Sequence, residues 1–136
     1  MRFVDTSILL YALSRSPDEQ GKAEVARSIL DSSDLATSVQ VLQEFYVQVT
    51  RASRSDRITH RQAVDLIDSW MRFPLQDIDA SLLQAALSTR DRFRISYWDA
   101  AVIEAAKRLE CSVILSEDLS HGQEYGGVRI VNPFVG

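Results

Sequence analysis

The sequence is poor in the side chains that bind soft metals or form covalent cross-links. Its 136 residues include one cysteine, Cys111, and two histidines, His60 and His121. A single cysteine excludes an internal disulfide, and we interpret Cys111 as a small apolar residue entering a strand. The two histidines lack the spacing of metal ligands, and zinc sites usually need histidine or cysteine. The composition therefore favours a fold stabilised by its core and argues against a zinc site.

Long apolar runs are also missing. Asp5 interrupts the first apolar stretch, and the next one, from Ile8 to Leu13, is far shorter than the ~20 residues of a membrane-spanning helix. We therefore expect neither a membrane span nor a targeting segment. Because a lone cysteine suits a reducing compartment, we expect a cytoplasmic protein.

An excess of positive charge is absent as well. The 15 Lys and Arg residues are outnumbered by 19 Asp and Glu residues, which gives a net charge of -4. Such a chain does not hold nucleic acid by bulk charge, so any RNA must meet a local basic patch or a bound cation. The hydrophobic fraction of 46% and the charged fraction of 25% are those of an ordinary globular protein. At this length we expect one domain, residues 1–136.

Short apolar segments alternate with amphipathic ones along the chain. Five segments predict strands: Arg2–Asp5, Leu35–Thr37, Pro74–Gln76, Ser112–Leu115 and Val128–Val131. Five others carry apolar residues at spacings of three and four and predict helices: Glu19–Asp31, Val39–Arg51, Arg61–Phe73, Ala80–Phe93 and Tyr97–Leu109. Capping boxes at Thr59 with Gln62 and at Ser96 with Asp99 agree with two of the helix starts. The alternation predicts an α/β domain with a mainly parallel sheet covered by helices on both faces.

Four acidic residues are distinguished by their places in these elements. Asp5 closes the first predicted strand and Asp118 follows the fourth, and open parallel sheets bind ligands beyond such strand ends. Asp99 lies in the first turn of its helix. Glu44 lies in a helix among apolar neighbours, where a carboxylate needs a partner. If the first and fourth strands are neighbours, these acids converge.

Each acid also has a purely structural explanation. Asp99 could complete the capping box with Ser96 and face the positive end of the helix dipole. Glu44 could be a solvated helix residue, and Asp118 could cap the turn that follows it. Asp5 is the hardest to explain in this way, because an acid ending an apolar strand is disfavoured by propensity.

Four converging carboxylates repel one another, so they need raised pKa values or a bound cation. The chain has only two lysines, Lys22 and Lys107, and its arginines group elsewhere in the sequence. A divalent cation with oxygen ligands is therefore the simplest counter-charge, and carboxylates with water suit Mg²⁺ or Mn²⁺.

Short motifs surround the acids: Val4-Asp5-Thr6-Ser7, Val41-Leu42-Gln43-Glu44-Phe45, Tyr97-Trp98-Asp99-Ala100-Ala101 and Leu115-Ser116-Glu117-Asp118-Leu119. In this order and at these spacings, the chain resembles the PIN-domain nucleases over essentially its whole length. Within them it is most similar to the VapC-type toxins of bacterial toxin-antitoxin pairs. The resemblance implies a PIN-like fold with a five-stranded sheet in the order 3-2-1-4-5, flanked by helices on both faces.

The resemblance also implies a metal site. Asp5 and Asp99 would be the principal ligands of Mg²⁺, or of Mn²⁺. Glu44 and Asp118 would complete the acidic site. The roles of these residues are those of the family's motifs at the matching positions.

Hydroxyl groups near the acids are implied to take part as well. One of these roles falls on Thr6 or Ser7, beside the first acid, and another falls on Ser116. In an extended segment residues two apart share a face, so Ser116 and Asp118 would lie together while Glu117 points the other way.

The activity implied is that of an endoribonuclease toxin. A metal-activated water would attack an RNA phosphodiester in line, leaving a 5′ phosphate and a 3′ hydroxyl. A cognate antitoxin protein and a homodimer are implied as partners. The alternative is a PIN-like module that binds RNA or protein without cutting. Phosphotransfer to an aspartate fits poorly, because no second acid stands two residues after Asp5.

Arginine and aromatic residues are candidates for RNA docking. Two arginine groups could grip phosphates: Arg51, Arg54, Arg57 and Arg61, and Arg90, Arg92 and Arg94. Ordinary solvated faces explain each group at least as well. Tyr97 and Trp98 could stack a base, but a tryptophan beside a helix start is usually a core residue, and we expect this of Trp98.

Overall fold

The apolar and amphipathic segments form strands and helices in the predicted order, with two additions. The computed structural model describes residues 1–135. The strands are β1 (Arg2–Val4), β2 (Leu35–Ser38), β3 (Leu75–Gln76), β4 (Val113–Leu115), β5 (Glu124–Tyr125) and β6 (Val128–Val131). The helices are α1 (Thr6–Ala12), α2 (Gln20–Leu30), α3 (Val39–Val49), α4 (His60–Trp70), α5 (Ala80–Phe93) and α6 (Tyr97–Arg108), with a 3-10 turn at Pro17–Glu19.

The sheet has the order β3-β2-β1-β4-β6-β5, and every neighbouring pair is parallel except β5 with β6. The five predicted strands correspond to β1, β2, β3, β4 and β6. Their predicted order is therefore confirmed, and so is the α/β fold class.

Strand β5 is an addition that the sequence analysis missed. It pairs with β6 in a hairpin closed by Gly126 and Gly127, whose φ angles of 58° and 94° are both positive. A two-residue hairpin turn with positive φ at both positions suits glycine, which has no Cβ to clash. The strand itself has only two residues, too few to show an alternating pattern.

Helix α1 is the second addition, because the sequence analysis recognised Ile8 to Leu13 only as an apolar run. Five of the seven residues of α1 are buried, namely Thr6, Ser7, Ile8, Leu9 and Ala12. A helix buried on most sides lacks the polar face that reveals a helical period. Its first residue directly follows Asp5, which caps the helix instead of ending the strand.

Strand β1 lies in the middle of the sheet and is covered on both faces. Phe3 and Val4 point to opposite faces, yet their exposed fractions are only 0% and 1%. Cys111 is buried just before β4, as expected. None of the helices within residues 1–135 combines the length and apolarity needed to cross a membrane.

The register of β1 and β4 positions the residues that follow them. Val4 pairs with Leu115, and the backbone N–H of Asp5 donates to the Leu115 carbonyl at 3.1 Å. Asp5 and Ser116 therefore leave the sheet side by side at its carboxyl edge.

Candidate active site

Asp5 is held at this edge by two hydrogen bonds. Its Oδ2 accepts from Ser116 Oγ at 2.7 Å, and its Oδ1 accepts from the backbone N–H of Thr6 at 2.8 Å. Both Asp5 and Ser116 are buried. Burial raises the pKa of Asp5 to about 6; the two hydrogen bonds oppose the shift, while neighbouring carboxylates add to it. The side chain is thus fixed in position, and its negative charge is poorly compensated.

Asp118 is joined to Asp5 through Ser116. The Ser116 hydroxyl that donates to Asp5 accepts from the backbone N–H of Asp118 at 3.1 Å. Burial raises the pKa of Asp118, and the charges of other acids, Glu117 and Asp99 among them, raise it further. Ser116 itself lies behind the acids, with an exposed fraction of 0%. It is therefore placed to orient both acids, without facing solvent.

Glu44 reaches the same place from α3. Its Oε2 accepts from Thr6 Oγ1 at 3.0 Å, and its Oε1 accepts from Gln40 Nε2 at 3.2 Å. Of the two candidate hydroxyls, Thr6 thus contacts an acid, whereas Ser7 Oγ accepts from the backbone N–H of Glu117 at 3.1 Å. The partly buried carboxylate of Glu44 has the partners that its apolar surroundings demand.

Asp99 comes from the first turn of α6. Its backbone N–H donates to Ser96 Oγ at 3.0 Å, so Ser96 caps the helix, but the predicted capping box is incomplete because the Asp99 side chain does not accept from the Ser96 backbone N–H. Burial raises the pKa of Asp99; a hydrogen bond to Ser96 opposes this, and the charge of Glu44 adds to it. Asp99 thus lies in the capped first turn of the helix, and it is also close enough to Glu44 for the charge of Glu44 to affect its pKa.

All four acids line one cavity of about 380 Å³. Besides Asp5, Glu44, Asp99 and Asp118, its walls include Thr6, Ser7, Leu10, Tyr11, Glu19, Gln40, Gln48, Arg54, Trp98, Val102 and Glu117. Most of these side chains come from helices α1, α3 and α6 and from the segment after β4, while Asp5 precedes α1, Glu19 ends the 3-10 turn and Arg54 follows α3. The structure thus gathers the acids that the sequence singled out, while their roles as ligands stay a prediction.

The donor set fits a hard divalent cation. The side chains offer carboxylate and hydroxyl oxygens. Burial raises the pKa values of three of the carboxyl groups, and the charges of neighbouring acids add to the shifts. Within residues 1–135, however, no three acidic, histidine or cysteine side chains are close enough together to form a complete metal-binding group. The acids border a shared space instead of meeting at one point.

Glu117 has a different environment from its neighbours Ser116 and Asp118. Its carboxylate accepts from Tyr11 Oη and pairs with Lys22 Nζ, both at 2.5 Å. Burial opposes it, but the hydrogen bonds from Lys22 and Tyr11 prevail and lower the pKa of Glu117. Ser116 therefore contacts Asp5, whereas Glu117 contacts Tyr11 and Lys22. This agrees with the expectation that adjacent side chains of an extended segment point in opposite directions.

Three residues at the cavity were missed or misjudged from sequence. Trp98 is 63% exposed, so our expectation of a core tryptophan is wrong; the buried side of α6 begins with Ala100 and Ala101. Gln40 was not singled out, since its contacts depend on how α3 meets α6. Arg54, in the segment between α3 and α4, lines the same cavity as the acids although the arginines were expected elsewhere.

Comparison with known proteins agrees with this architecture. The family model of the PIN domain matches residues 2–122. No curated protein sequence matches the chain.

Solved structures extend the likeness across the chain. A toxin-antitoxin complex from Klebsiella pneumoniae is similar with a TM-score of 0.72 and 15% identity, covering 98% of each chain. Mycobacterium tuberculosis VapC20, described as a sarcin-ricin loop cleaving toxin, is similar with a TM-score of 0.64 and 20% identity, covering 87% of this chain and 92% of VapC20. VapBC2 from Rickettsia felis, bound to promoter DNA, is similar with a TM-score of 0.65 and 14% identity, covering 95% of this chain and 96% of the matched chain. At such identities the likeness establishes the fold, and with the family match over residues 2–122 it shows that the chain belongs to the PIN domain family.

Proposed function

We propose that this PIN domain is an endoribonuclease that depends on Mg²⁺ or Mn²⁺, and that it acts as the toxin of a toxin-antitoxin pair. The observation that carries the proposal is the cavity lined by Asp5, Glu44, Asp99 and Asp118. Acids from two helices and from the segments after two strands converge there, and burial raises the pKa of Asp5 to about 6. Carboxylates gathered against their mutual repulsion are typical of a site that binds a cation.

The roles proposed for these residues are those that the resemblance to the family implies at the matching positions. Asp5 and Asp99 would hold the metal, with Glu44 and Asp118 completing the acidic wall. When bound, the ion supplies a water of lowered pKa and offsets the charge that develops on the phosphate. The hydroxyls of Ser116 and Thr6 fix the orientation of Asp5 and Glu44, as groups behind metal ligands commonly do.

The RNA substrate and the antitoxin are part of the same proposal. VapC20 is described as cleaving the sarcin-ricin loop, and the neighbours from Klebsiella pneumoniae and Rickettsia felis are toxin-antitoxin complexes. The fold shared with them supports a cognate antitoxin for this chain. A homodimer, which the family resemblance implies, and a cytoplasmic location, which the sequence led us to expect, are also part of the proposal.

The direct test replaces Asp5 or Asp99 with asparagine and measures cleavage of a broad RNA panel with Mg²⁺ or Mn²⁺. Each change removes one proposed ligand, so activity should fall by more than the roughly 10- to 100-fold that loss of a supporting group costs. Asp68→Asn is the matched control, because this exposed residue of α4 loses the same charge outside the cavity. Equal activity in the parent and both ligand variants would refute the assignment.

Glu117→Gln separates the two acids that follow Ser116. Because Glu117 is engaged by Lys22 and Tyr11, this variant should keep most of the activity, whereas Asp118→Asn should lose it. The reverse order would move the fourth ligand from Asp118 to Glu117.

A non-cutting PIN-like module is the second candidate. It is favoured by the lack, within residues 1–135, of three ligand side chains grouped tightly enough for a metal. Under this alternative the protein binds RNA or a protein, no metal yields cleavage, and Asp5→Asn leaves binding unchanged.

A further inference from the structure

A second depression continues the acid-lined cavity along α3. It has a volume of about 360 Å³ and is lined by Gln40, Gln43, Glu44, Val47, Gln48, Arg51 and Trp98. We call it the α3 groove. Four of these residues, Gln40, Glu44, Gln48 and Trp98, also line the acid-lined cavity. A ligand that lies in the groove is therefore in reach of the acids.

The walls of the groove come from two helices. The lining residues of α3 are related by intervals of three and four and form a single stripe, and Arg51 extends it two residues beyond the end of the helix. Trp98 of α6 forms the other wall, and Gln40 Nε2 ties the walls together by donating to the Trp98 carbonyl at 3.3 Å. The stripe runs from the acids at Glu44 outward to Arg51.

The two apolar side chains of the groove are unusually open to solvent. Trp98 is 63% exposed and Val47 is 56% exposed. The Trp98 ring meets the Tyr97 ring edge-on, with centroids 5.0 Å apart, and Tyr97 in turn packs on the buried alanines of α5 and α6. A large ring that is supported on one edge and left open on its other side offers a binding surface.

We propose that the α3 groove binds one unpaired base of an RNA strand whose backbone crosses the acid-lined cavity, with Trp98 as the stacking surface. The proposal rests on the proposed function, because it supplies a subsite for the same substrate. A base has two apolar faces and a polar edge, and the groove pairs Trp98 and Val47 with side-chain amides at Gln43 and Gln48. Arg51 at the outer end can meet an adjacent phosphate.

The chemistry of the lining favours a base over a protein segment. Only two of the seven lining residues are apolar, whereas peptide grooves present a longer apolar path for repeated anchors. The groove also ends at the acids, where an RNA phosphate would be placed if the protein cuts RNA.

The test uses the intact protein and the fluorescence of Trp98. The other tryptophan, Trp70, is only 5% exposed, so a ligand at the surface should change mainly the emission of Trp98. Single-stranded octa-adenylate and octa-uridylate are titrated with Ca²⁺ in place of Mg²⁺, and electrophoresis checks that the oligomers stay intact. Stacking should quench the fluorescence. Because the variants lack this fluorophore, the affinities of all proteins are compared by the fluorescence anisotropy of end-labelled oligomers. Trp98→Ala should weaken binding about 5- to 150-fold, the range of one base stack, and Trp98→Phe should restore most of it. Ile78→Ala, which trims another exposed apolar residue outside the groove, should bind as the parent does.

Three results would overturn the proposal. The first is an unchanged affinity of Trp98→Ala for single-stranded RNA. The second is a loss of affinity for duplex RNA as large as the loss for single-stranded RNA, because paired bases are not free to stack on Trp98. The third is that iodide, which quenches only solvent-accessible tryptophan, still quenches Trp98 when RNA is bound. In that case RNA does not cover the α3 groove, and a protein partner would be tested as its ligand instead.

Cleavage assays distinguish failure of this inference from failure of the proposed function. Metal-dependent cleavage with the same KM in parent and Trp98→Ala would leave the nuclease in place and remove the subsite. RNA stacking on Trp98 without cleavage at any metal would contradict the nuclease and keep the groove.

Discussion

Asp5 meets two opposing demands at a single residue. Its burial disfavours the charged form, while hydrogen bonds from Ser116 and Thr6 favour it and hold the carboxylate in one orientation. A group kept in this state destabilises the fold when no cation is near. Such a conflict is typical of a functional residue and is unusual for one that only caps a helix.

Stability should therefore depend on pH through Asp5. Its folded-state pKa of about 6 lies above the usual 3.8, so folding favours the protonated form and stability falls as pH rises between these values. Asp5→Asn is neutral throughout. In metal-free buffer the free energy of unfolding of the variant should rise relative to that of the parent from pH 4 to pH 7. The rise should be at most about 3 kcal/mol, at 1.36 kcal/mol per pKa unit.

Urea unfolding at successive pH values measures this difference. Asp99 and Asp118 are present in both proteins, so the comparison isolates Asp5 together with its interactions with neighbouring acids, since the charge of Asp118 also raises the pKa of Asp5. If the difference in free energy of unfolding between the two proteins stays constant across this pH range, burial does not raise the pKa of Asp5.

The acids could be predicted one by one from the sequence, but the residues around them could not. Asp5 and Asp118 follow apolar strands, and that position is visible in the sequence. Gln40, Arg54 and Trp98 border the cavity only because α3, its following loop and α6 pack as they do. Sequence position carries no trace of that packing, and an exposed tryptophan and a buried one look alike in a sequence.

At the scale of elements, the start of α6 links the fold to the site. The Ser96 hydroxyl accepts from the backbone N–H of Asp99, so the same cap that begins the helix orients a proposed ligand. Ser96→Ala should lower the free energy of unfolding by about 1 kcal/mol and also reduce cleavage.

Thr59→Ala provides the matched comparison for that prediction. Thr59 caps α4 with a complete capping box and does not line the acid-lined cavity, so its loss should cost similar stability while leaving cleavage unchanged. Equal losses of cleavage in both variants would show that Ser96 acts on stability alone.

Element prediction succeeded where a segment had a polar face or an apolar run of ordinary length. Helices α2 to α6 show a period of three to four, and the predicted strand order followed from the family resemblance. Helix α1 failed because burial removed its polar face, and β5 failed because two residues carry no period. In both cases tertiary packing, not local sequence, decides the structure.

At the scale of the whole molecule, the net charge is -4, and each of the two cavities has one cationic side chain in its lining. Arg54 borders the acid-lined cavity, and Arg51 borders the α3 groove. RNA binding should therefore show a shallow salt dependence. For single strands each phosphate contact contributes about 0.7 to the slope of log affinity against log salt, so Arg54→Gln should reduce the slope by roughly that amount.

Arg57→Gln is the control for that slope, because Arg57 lies in the same loop but borders neither cavity. Binding measured from low to moderate salt should give the parental slope in this variant. A slope unaltered by Arg54→Gln would place the phosphate contacts elsewhere.

The hydrogen bond between Asp5 and Ser116 joins residues 111 positions apart. The first proposed ligand is therefore synthesised early, while the group that orients it is made near the end of translation. A nascent chain carries Asp5 without its support until β4 has docked beside β1. Under the proposed function, the acid-lined cavity would therefore be assembled only after most of the chain has been synthesised.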